Sequence, residues 1–479
     1  MGRDSVGVHR VTGIVQELES ILGRGKVYDD PAVVALYSRE PSGLEGFGLA
    51  VVFPETAEDV SRLAAWAYRR MVPLYPQGST TSLSGSAVPE NGVIVSFERM
   101  NRILEVSVLD SVAVVEPGVR IAELNLELAR YQHMFPVDPA SQAVATVGGA
   151  INSGAGGMKG AKYGTMRDWV NQLEIVLADE NGTRMTIGCR TVKCRQGYDL
   201  VRLIVGSEGT LALVTRAVLR ITPLPEAAPT VLGFFDNLGD LVDAFLELRS
   251  AGVQPLLAEF LDARTVSIAR RGLPGFENVE GHMLLVSVEA NREAVERIQA
   301  QLVKVFESHG AHGIRVAGDL GEAEEKGLLA LRRRLLPAQL EYSRRYWGAP
   351  RVQVFIEDIV VPPSRLVEAV EMLNQLTEDY GLPMVLGGHI GDGNLHPAVG
   401  FDPGDPGAAS RVHAWFTEVM KLAVKLGGSV SAEHGVGMLK REGLRIELER
   451  LGSLKALELM KAIKRLFDPH NVLNPGKLF

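Results

Sequence analysis

The 479-residue chain predicts an α+β fold of about three units of ordinary domain size. Three observations carry that expectation. Short apolar, strand-length runs alternate with amphipathic helical stretches on both sides of a boundary marked by Pro223, Pro225 and Pro229. Three glycine-rich loops, at 77–85, 146–157 and 206–210, sit against those runs. A late histidine-bearing stretch, Gly387-Gly388-His389-Ile390-Gly391-Asp392-Gly393-Asn394-Leu395-His396, carries a strong hairpin signal in Asp392-Gly393.

Residues 1–44 read as a helical lead-in, with the pattern clearest over 15–22. A buried strand follows at 49–53, and Thr56 is placed to cap the next helix with Asp59 as a capping-box partner. Val60, Leu63, Ala64 and Ala67 then recur at i, i+3, i+4 and i+7, one apolar helical face. A strand at 73–76 closes a β-α-β unit and delivers the chain into Gln77-Gly78-Ser79-Thr80-Thr81-Ser82-Leu83-Ser84-Gly85. Such a loop offers backbone N–H groups and hydroxyls in a concavity suited to phosphate. Strands at 93–97, 103–108 and 112–117 and a helix at 121–132 lead to the second loop, from Thr146 to Gly157. The third, Gly206-Ser207-Glu208-Gly209-Thr210, lies between apolar 203–205 and 211–214. Neither G-x-G-x-x-G nor a Walker A sequence occurs, so the pattern points to one extended pyrophosphate ligand held by several separate loops.

Beyond Ile221, strands at 231–235, 283–289 and 314–316 alternate with helices at 238–249 and 293–308. A long helix at 322–344, a strand at 351–361 and a helix at 363–380 lead to the histidine stretch. Repeated β-α-β patterning predicts helices over one face of an antiparallel sheet. A helix at 413–426 ends at Gly427-Gly428, and another at 454–467 precedes the tail. The expected boundaries are therefore 1–44, 45–222, 223–427 and 428–479.

Composition narrows the function. With 46% hydrophobic and 23% charged residues the chain has a large core to bury. A formal charge of −8 without a basic run argues against nucleic-acid binding. The Met1-Gly2-Arg3-Asp4 start begins no signal peptide and no apolar run is long enough to span a bilayer, so a cytoplasmic location is expected. Cys189 and Cys194, the only cysteines, are spaced C-x4-C and read as two free thiols of a reducing compartment. Two cysteines cannot hold an iron–sulfur cluster by four thiolates.

Folding the late stretch about Asp392-Gly393 pairs His389 with His396, whose Cβ atoms would then be roughly 5 Å apart. Two imidazoles so placed can share one metal ion. Ser431-Ala432-Glu433-His434-Gly435-Val436-Gly437 adds a carboxylate and a third histidine. His389, His396 and Glu433 are the candidate ligands, and the set suits zinc first, with manganese or iron as alternatives.

From about residue 45 to the end the motifs resemble, in order, those of the FAD-linked oxidases of the vanillyl-alcohol-oxidase type. The likeness is greatest to the branch with the glycolate oxidase FAD subunit and the D-lactate and D-2-hydroxyglutarate dehydrogenases. It rests on Pro76-Gln77-Gly78-Ser79-Thr80, the 146–157 and 206–210 loops, both histidine segments and Asp468-Pro469-His470-Asn471-Val472-Leu473-Asn474-Pro475-Gly476-Lys477. The resemblance implies a split PCMH-type FAD-binding domain of two α/β subdomains, an α+β cap and a short C-terminal helical segment returning to the flavin. It implies FAD contacts from Pro76, Gln77, Gly78, Ser79, Thr80, Thr81, Ser82, Pro139, Thr146, Gly148, Gly149, Asn152, Ser153, Gly156, Gly157, Glu208, Gly209 and Asn474. Some relatives attach FAD through a histidine near the first loop; none lies between His9 and His133, so the flavin is expected to be dissociable.

The implied reaction oxidises a small 2-hydroxy acid to the 2-oxo acid with metal assistance. His434 would take the hydroxyl proton as general base, and the hydride would pass to flavin N5. Arg332, in Leu328-Leu329-Ala330-Leu331-Arg332, resembles the family arginine that meets the substrate carboxylate, although the aromatic residue common at the Leu329 position is absent. Electrons would leave to a quinone or to partner subunits with a second flavin and iron–sulfur clusters, rather than to NAD. That arrangement implies peripheral association at the inner membrane face through partners, and a homodimer is compatible with it. A zinc hydrolase would use the same histidine–glutamate set but leave the loops without purpose; a non-catalytic flavoprotein would leave the histidines unexplained.

Overall fold

A computed structural model describes residues 4–479, so the first three residues of the start discussed above lie outside the described residues. Contacts divide the chain into two units. The first takes the residues through Gly157 together with Thr165–Leu224 and Glu433–Phe479. The second takes Met158–Gly164 and Pro225–Ala432.

In the first unit, apolar runs become two larger sheets, beside a two-stranded one of Thr222–Pro223 on His133–Met134. Phe47–Val52 and Leu74–Gln77 both pair in parallel with Glu90–Ser96, and Val27–Tyr28 joins the edge antiparallel. The helix Ala57–Arg70 buries Val60, Leu63, Ala64 and Ala67 in a core shared with Leu74 and Val93. Its cap is Thr56, whose Oγ1 accepts the Asp59 N–H at 3.1 Å. The Asp59 carboxylate, however, turns to the Glu55 N–H at 3.0 Å and to Lys26 at 2.6 Å, so the reciprocal half of a capping box is replaced by an ion pair. Truncating Leu63 to Ala would cost about 2–5 kcal/mol at such a site. The second sheet is antiparallel, in the order Ile103–Ser107, Val112–Val115, Leu213–Arg220, Val170–Val176, Arg184–Gly188.

The C-terminal tail returns to the first sheet. Leu473 bridges Leu74 in parallel, with the Leu74 N–H donating to Val472 O at 2.7 Å and the Asn474 N–H to Leu74 O at 2.8 Å. Buried Lys464 fastens this tail by donating to Thr210 O and Leu473 O, each at 2.7 Å, and to Asp468.

The second unit is an eight-stranded antiparallel sheet. Its order is His312–Ala317, Thr230–Phe235, His282–Ser287, Leu257–Leu261, Met384–His389, Asn394–Phe401 and Gln353–Ile356, with Ile359–Val360 also on Asn394–Phe401. Helices cover both faces, not one. Leu232 and Phe234 share a core with Val266, Leu331 and Ala338, whereas Phe235 on the opposite face meets Phe306 with ring centroids 5.6 Å apart. The strand Thr230–Phe235 is buried at every position, which is what a sheet covered on both sides requires.

Four further expectations change. The 322–344 helix is three pieces, Leu320–Glu325, Ala330–Arg333 and Leu335–Trp347. Gly327 at φ +70° ends the first, and the Leu328 N–H closes back on Ala323 O at 2.8 Å. The 351–361 strand is split at Glu357 and Asp358. Its register, Ile356 opposite Ala398 and Ile359 opposite Leu395, runs past Pro397, which has no N–H to give the ladder. Cys189 and Cys194 form a disulfide instead of two free thiols: the chain turns after Gly188 (φ +81°) and brings their Cα atoms within 5.7 Å, a span a disulfide bridges. Finally, His389 lies opposite Asn394 and His396 opposite Gly387, so the hairpin turns one bond earlier than Asp392-Gly393 alone suggests. Gly393 (φ +86°) packs where a Cβ would fall 1.9 Å from Val361 O, and that contact sets the turn. A shift of two residues keeps both histidines on one face.

Candidate active site

In the first unit the glycine loops line a cavity that opens to solvent. Residues 76–82, Pro139, Thr146, Gly149, Asn152, Ser153, Gly156 and Glu208 line it, as do Glu433 and His434. The loops can approach so closely because side chains are missing: a Cβ on Gly78 would fall 2.1 Å from Thr146 Oγ1. Thr146 itself caps the helix Val147–Ser153 by accepting the Gly149 N–H at 3.2 Å. Gly148, Gly157, Gly209 and Asn474 stand behind the lining. A Cβ on Gly148 would meet Pro117, one on Gly157 the carbonyl of Asp138, and one on Gly209 the ring of Pro76. Asn474 donates from Nδ2 to Ser86 O at 2.9 Å and Glu208 O at 2.6 Å.

Sequence reading missed Glu40, which is buried and holds the first loop by accepting the Gly85 N–H at 2.5 Å and the Ala87 N–H at 3.2 Å. Burial pushes its carboxyl up. Burial likewise raises Glu208 to about 7, against the opposing pull of the Gly437 and Val436 N–H groups. Lys477 is buried in the same unit, and its ammonium pKa is lowered by that burial in spite of Glu90 and Glu208.

The cavity fits a large ligand with polar groups. Gln77 Oε1 and Asn152 Oδ1 are buried with no partner among the described residues, and both residues line it. Glu433 sits where a Cβ on Gly156 would come within 2.9 Å of its Oε2.

In the second unit the two histidine rings stand edge to face, with centroids 5.2 Å apart. Glu259, directly opposite His389 on Leu257–Leu261, brings Oε1 to 2.7 Å from His389 Nδ1. Its Oε2 accepts from Arg332 Nε at 2.6 Å. Burial alone would push the Glu259 carboxyl up, but His389 and Arg332 outweigh it and hold the pKa below the usual carboxylate range. Asp358, also fully buried, lies 4.0 Å from His396 Nδ1 through Oδ1, which also accepts Asn394 Nδ2 at 2.9 Å. Its Oδ2 accepts Ser431 Oγ at 3.1 Å and the Ala432 N–H at 3.0 Å. Neither Glu259 nor Asp358 was singled out from the sequence; the available signal was acidic residues inside apolar runs, Glu259 in 256–261 and Glu357-Asp358 in 355–361. Arg249 supports the hairpin from below by donating to Gly391 O at 3.1 Å.

A glycine-lined cavity and an antiparallel domain in one chain are the architecture that the family matches assign to a two-domain flavin-dependent oxidase. The FAD binding domain family matches residues 48–187, and the FAD linked oxidases, C-terminal domain, match residues 224–478. The chain belongs to the FAD-linked oxidases. It is 35% identical over 435 residues to the glycolate oxidase subunit GlcD of Bacillus subtilis, covering 90% of this chain and 88% of that one. It is 36% identical over 445 residues to D-lactate dehydrogenase of Archaeoglobus fulgidus, covering 91% and 92%. With D-2-hydroxyglutarate dehydrogenase of Stutzerimonas stutzeri the identity is 32% over 480 residues, covering 97% and 98%. The fold matches 4-ethylphenol oxidase from Gulosibacter chungangensis with a TM-score of 0.78 at 18% identity, over 100% of this chain and 98% of that one. The protein is thus an FAD-dependent hydroxy-acid oxidoreductase of the glycolate oxidase, D-lactate and D-2-hydroxyglutarate dehydrogenase type. Among the described residues no helix is long and apolar enough to cross a membrane.

Proposed function

We propose that the protein oxidises a small 2-hydroxy acid to its 2-oxo acid, with His434 as the general base. One observation carries the reading: His434 and Glu433 line the same cavity as the FAD-binding loops. The chain then continues directly into Ala432, whose N–H is bonded to Asp358 beside the histidine hairpin.

His389, His396 and Glu433 are the proposed holders of a divalent metal, zinc before manganese or iron. The donor chemistry fits: Glu259 occupies His389 Nδ1, the carboxylate–imidazole pairing that directs the other ring nitrogen towards a metal. Bound there, such an ion would supply Lewis acidity towards a hydroxyl, and FAD would supply the hydride acceptor. The chain's own residues do the rest. His434 accepts the hydroxyl proton, and Arg332, oriented through Nε by Glu259, offers its remaining N–H groups to the substrate carboxylate. The FAD is held without a covalent bond, and the lining of the cavity supplies no histidine other than His434. Electrons leave to a quinone or to partner subunits carrying a second flavin and iron–sulfur clusters; the name of the Bacillus subtilis relative, which calls that protein a subunit, supports only that partners exist.

Anaerobic titration with glycolate, D-lactate and D-2-hydroxyglutarate tests this. At least one should bleach the flavin band, and bleaching by none would overturn the proposal.

A further inference from the structure

Four separate stretches of chain meet at Glu208, which is buried in the first unit. Its carboxylate accepts the Val436 N–H at 2.7 Å through Oε1, and the Gly437 N–H at 3.0 and 2.9 Å through Oε1 and Oε2. A Cβ on Gly435 would fall 2.6 Å from Oε1, so the carboxylate packs directly on the chain that follows His434. Its own N–H donates to Asn152 O at 2.7 Å, and its carbonyl accepts Asn474 Nδ2 at 2.6 Å. These bonds hold Glu208 at φ +54°, a conformation non-glycine residues rarely adopt.

The stretch it grips has little stiffness of its own. Gly435 at φ +82° and Gly437 at φ +52° lack the side chains that would limit their backbone angles. A carboxylate accepting from two successive N–H groups supplies that restraint, and charged acceptors make the stronger bonds. Both carboxylate oxygens are turned to backbone N–H groups, an orientation that serves the 433–437 segment before any ligand.

We propose that Glu208 is a positioning residue whose carboxylate fixes the 435–437 backbone and thereby sets how His434 faces the cavity. The proposal rests on the reading of His434 as the base. Burial pushes the Glu208 carboxyl up to about 7, so the acceptor is at full strength above that pH.

The test uses FAD-loaded Glu208→Gln, which keeps the side chain's size but sets an amide nitrogen where an acceptor stood. Hydrogen exchange should become roughly tenfold faster in the peptide spanning 433–440, with 147–153 and 472–474 little changed. Unchanged exchange at 433–440 would overturn the anchor. Flavin reduction should slow by roughly 10–100-fold, the scale of a misplaced catalytic group. In a His434→Asn background the same substitution should add less than about threefold, because both changes disable one device. Equal slowing in both backgrounds would show that Glu208 does not act through His434. If His434→Asn alone reduces at the wild-type rate, the base assignment fails, and the exchange result still decides whether Glu208 holds the segment. Glu208→Asp is read the same way should the Gln variant not retain FAD.

Discussion

Glu259 divides its carboxylate between two partners, with Oε1 2.7 Å from His389 Nδ1 and Oε2 2.6 Å from Arg332 Nε. One buried side chain therefore orients both a proposed metal ligand and the proposed substrate arginine. Removing its charge leaves the Arg332 guanidinium without a counter-ion in a site where Arg332 is only 14% exposed. Glu259→Gln should lower the stability of the second unit by about 3–5 kcal/mol, as breaking a buried pair does. It should also weaken divalent-metal affinity by roughly 10–100-fold through loss of support for His389. Denaturant unfolding and metal titration check the two effects separately. Unchanged values in both would mean that Glu259 is merely accommodated.

The two histidine segments and the glycine loops were legible in the sequence because their chemistry needs residue types that ordinary cores avoid. Gly78, for example, can be nothing larger beside Thr146. The hairpin was legible as a hairpin, but not its register. Asp392-Gly393 signals a turn locally, whereas the actual turn is set by Gly393 against Val361, a contact that folding alone creates. Glu259 was illegible for a related reason. Its strand, Leu257–Leu261, lies in a stretch to which the sequence assigned no element, so its one acid had no strand partner to face. The break at Gly327 was visible as a glycine inside a helical pattern, yet isolated glycines are tolerated in helices. The disulfide depended on how the chain turns after Gly188, which C-x4-C spacing does not encode.

Glu208 also governs a pH dependence of stability. Its carboxyl rises from 4.5 to about 7 on burial, so the folded state holds that proton more tightly than the unfolded chain does. Its contribution is therefore most favourable below about 4.5 and is lost as pH rises towards 7. Glu208→Gln abolishes this titration. With FAD saturating in both proteins, the variant should gain on the wild type between pH 5 and pH 8, by an amount on the order of 3 kcal/mol at most. Unfolding free energies at those two pH values measure it. A constant difference would place the group's pKa near its ordinary value.

The flavin should be removable without breaking a bond. Between 76 and 82 the cavity lining offers glycine, proline, glutamine and hydroxyl residues, with no imidazole or thiol to form a flavin link. Acid precipitation should leave the yellow colour in the supernatant, and its absorbance after neutralisation should match free FAD. Colour retained by the washed pellet would refute non-covalent binding.

The proton-transfer role of His434 makes the sharpest kinetic demand. The residue lines the FAD cavity and stands between Glu433 and Gly435, whose φ is +82°. If it is the base, His434→Asn should retain FAD and metal but slow flavin reduction by roughly 10²–10⁴-fold. The loss should fall on the chemical step more than on substrate binding, because the groups proposed to hold the carboxylate and hydroxyl are still present. Glu433→Gln should behave differently. A weakened metal ligand lowers the ion's occupancy, so added divalent ion should recover part of the rate in that variant and none in His434→Asn. A histidine with only a structural part would lower stability while the surviving enzyme reduced its flavin at nearly the normal rate. Stopped-flow reduction of metal-replete His434→Asn, followed at the flavin band across several substrate concentrations, separates these outcomes. A saturated rate close to wild type would remove His434 from the chemistry.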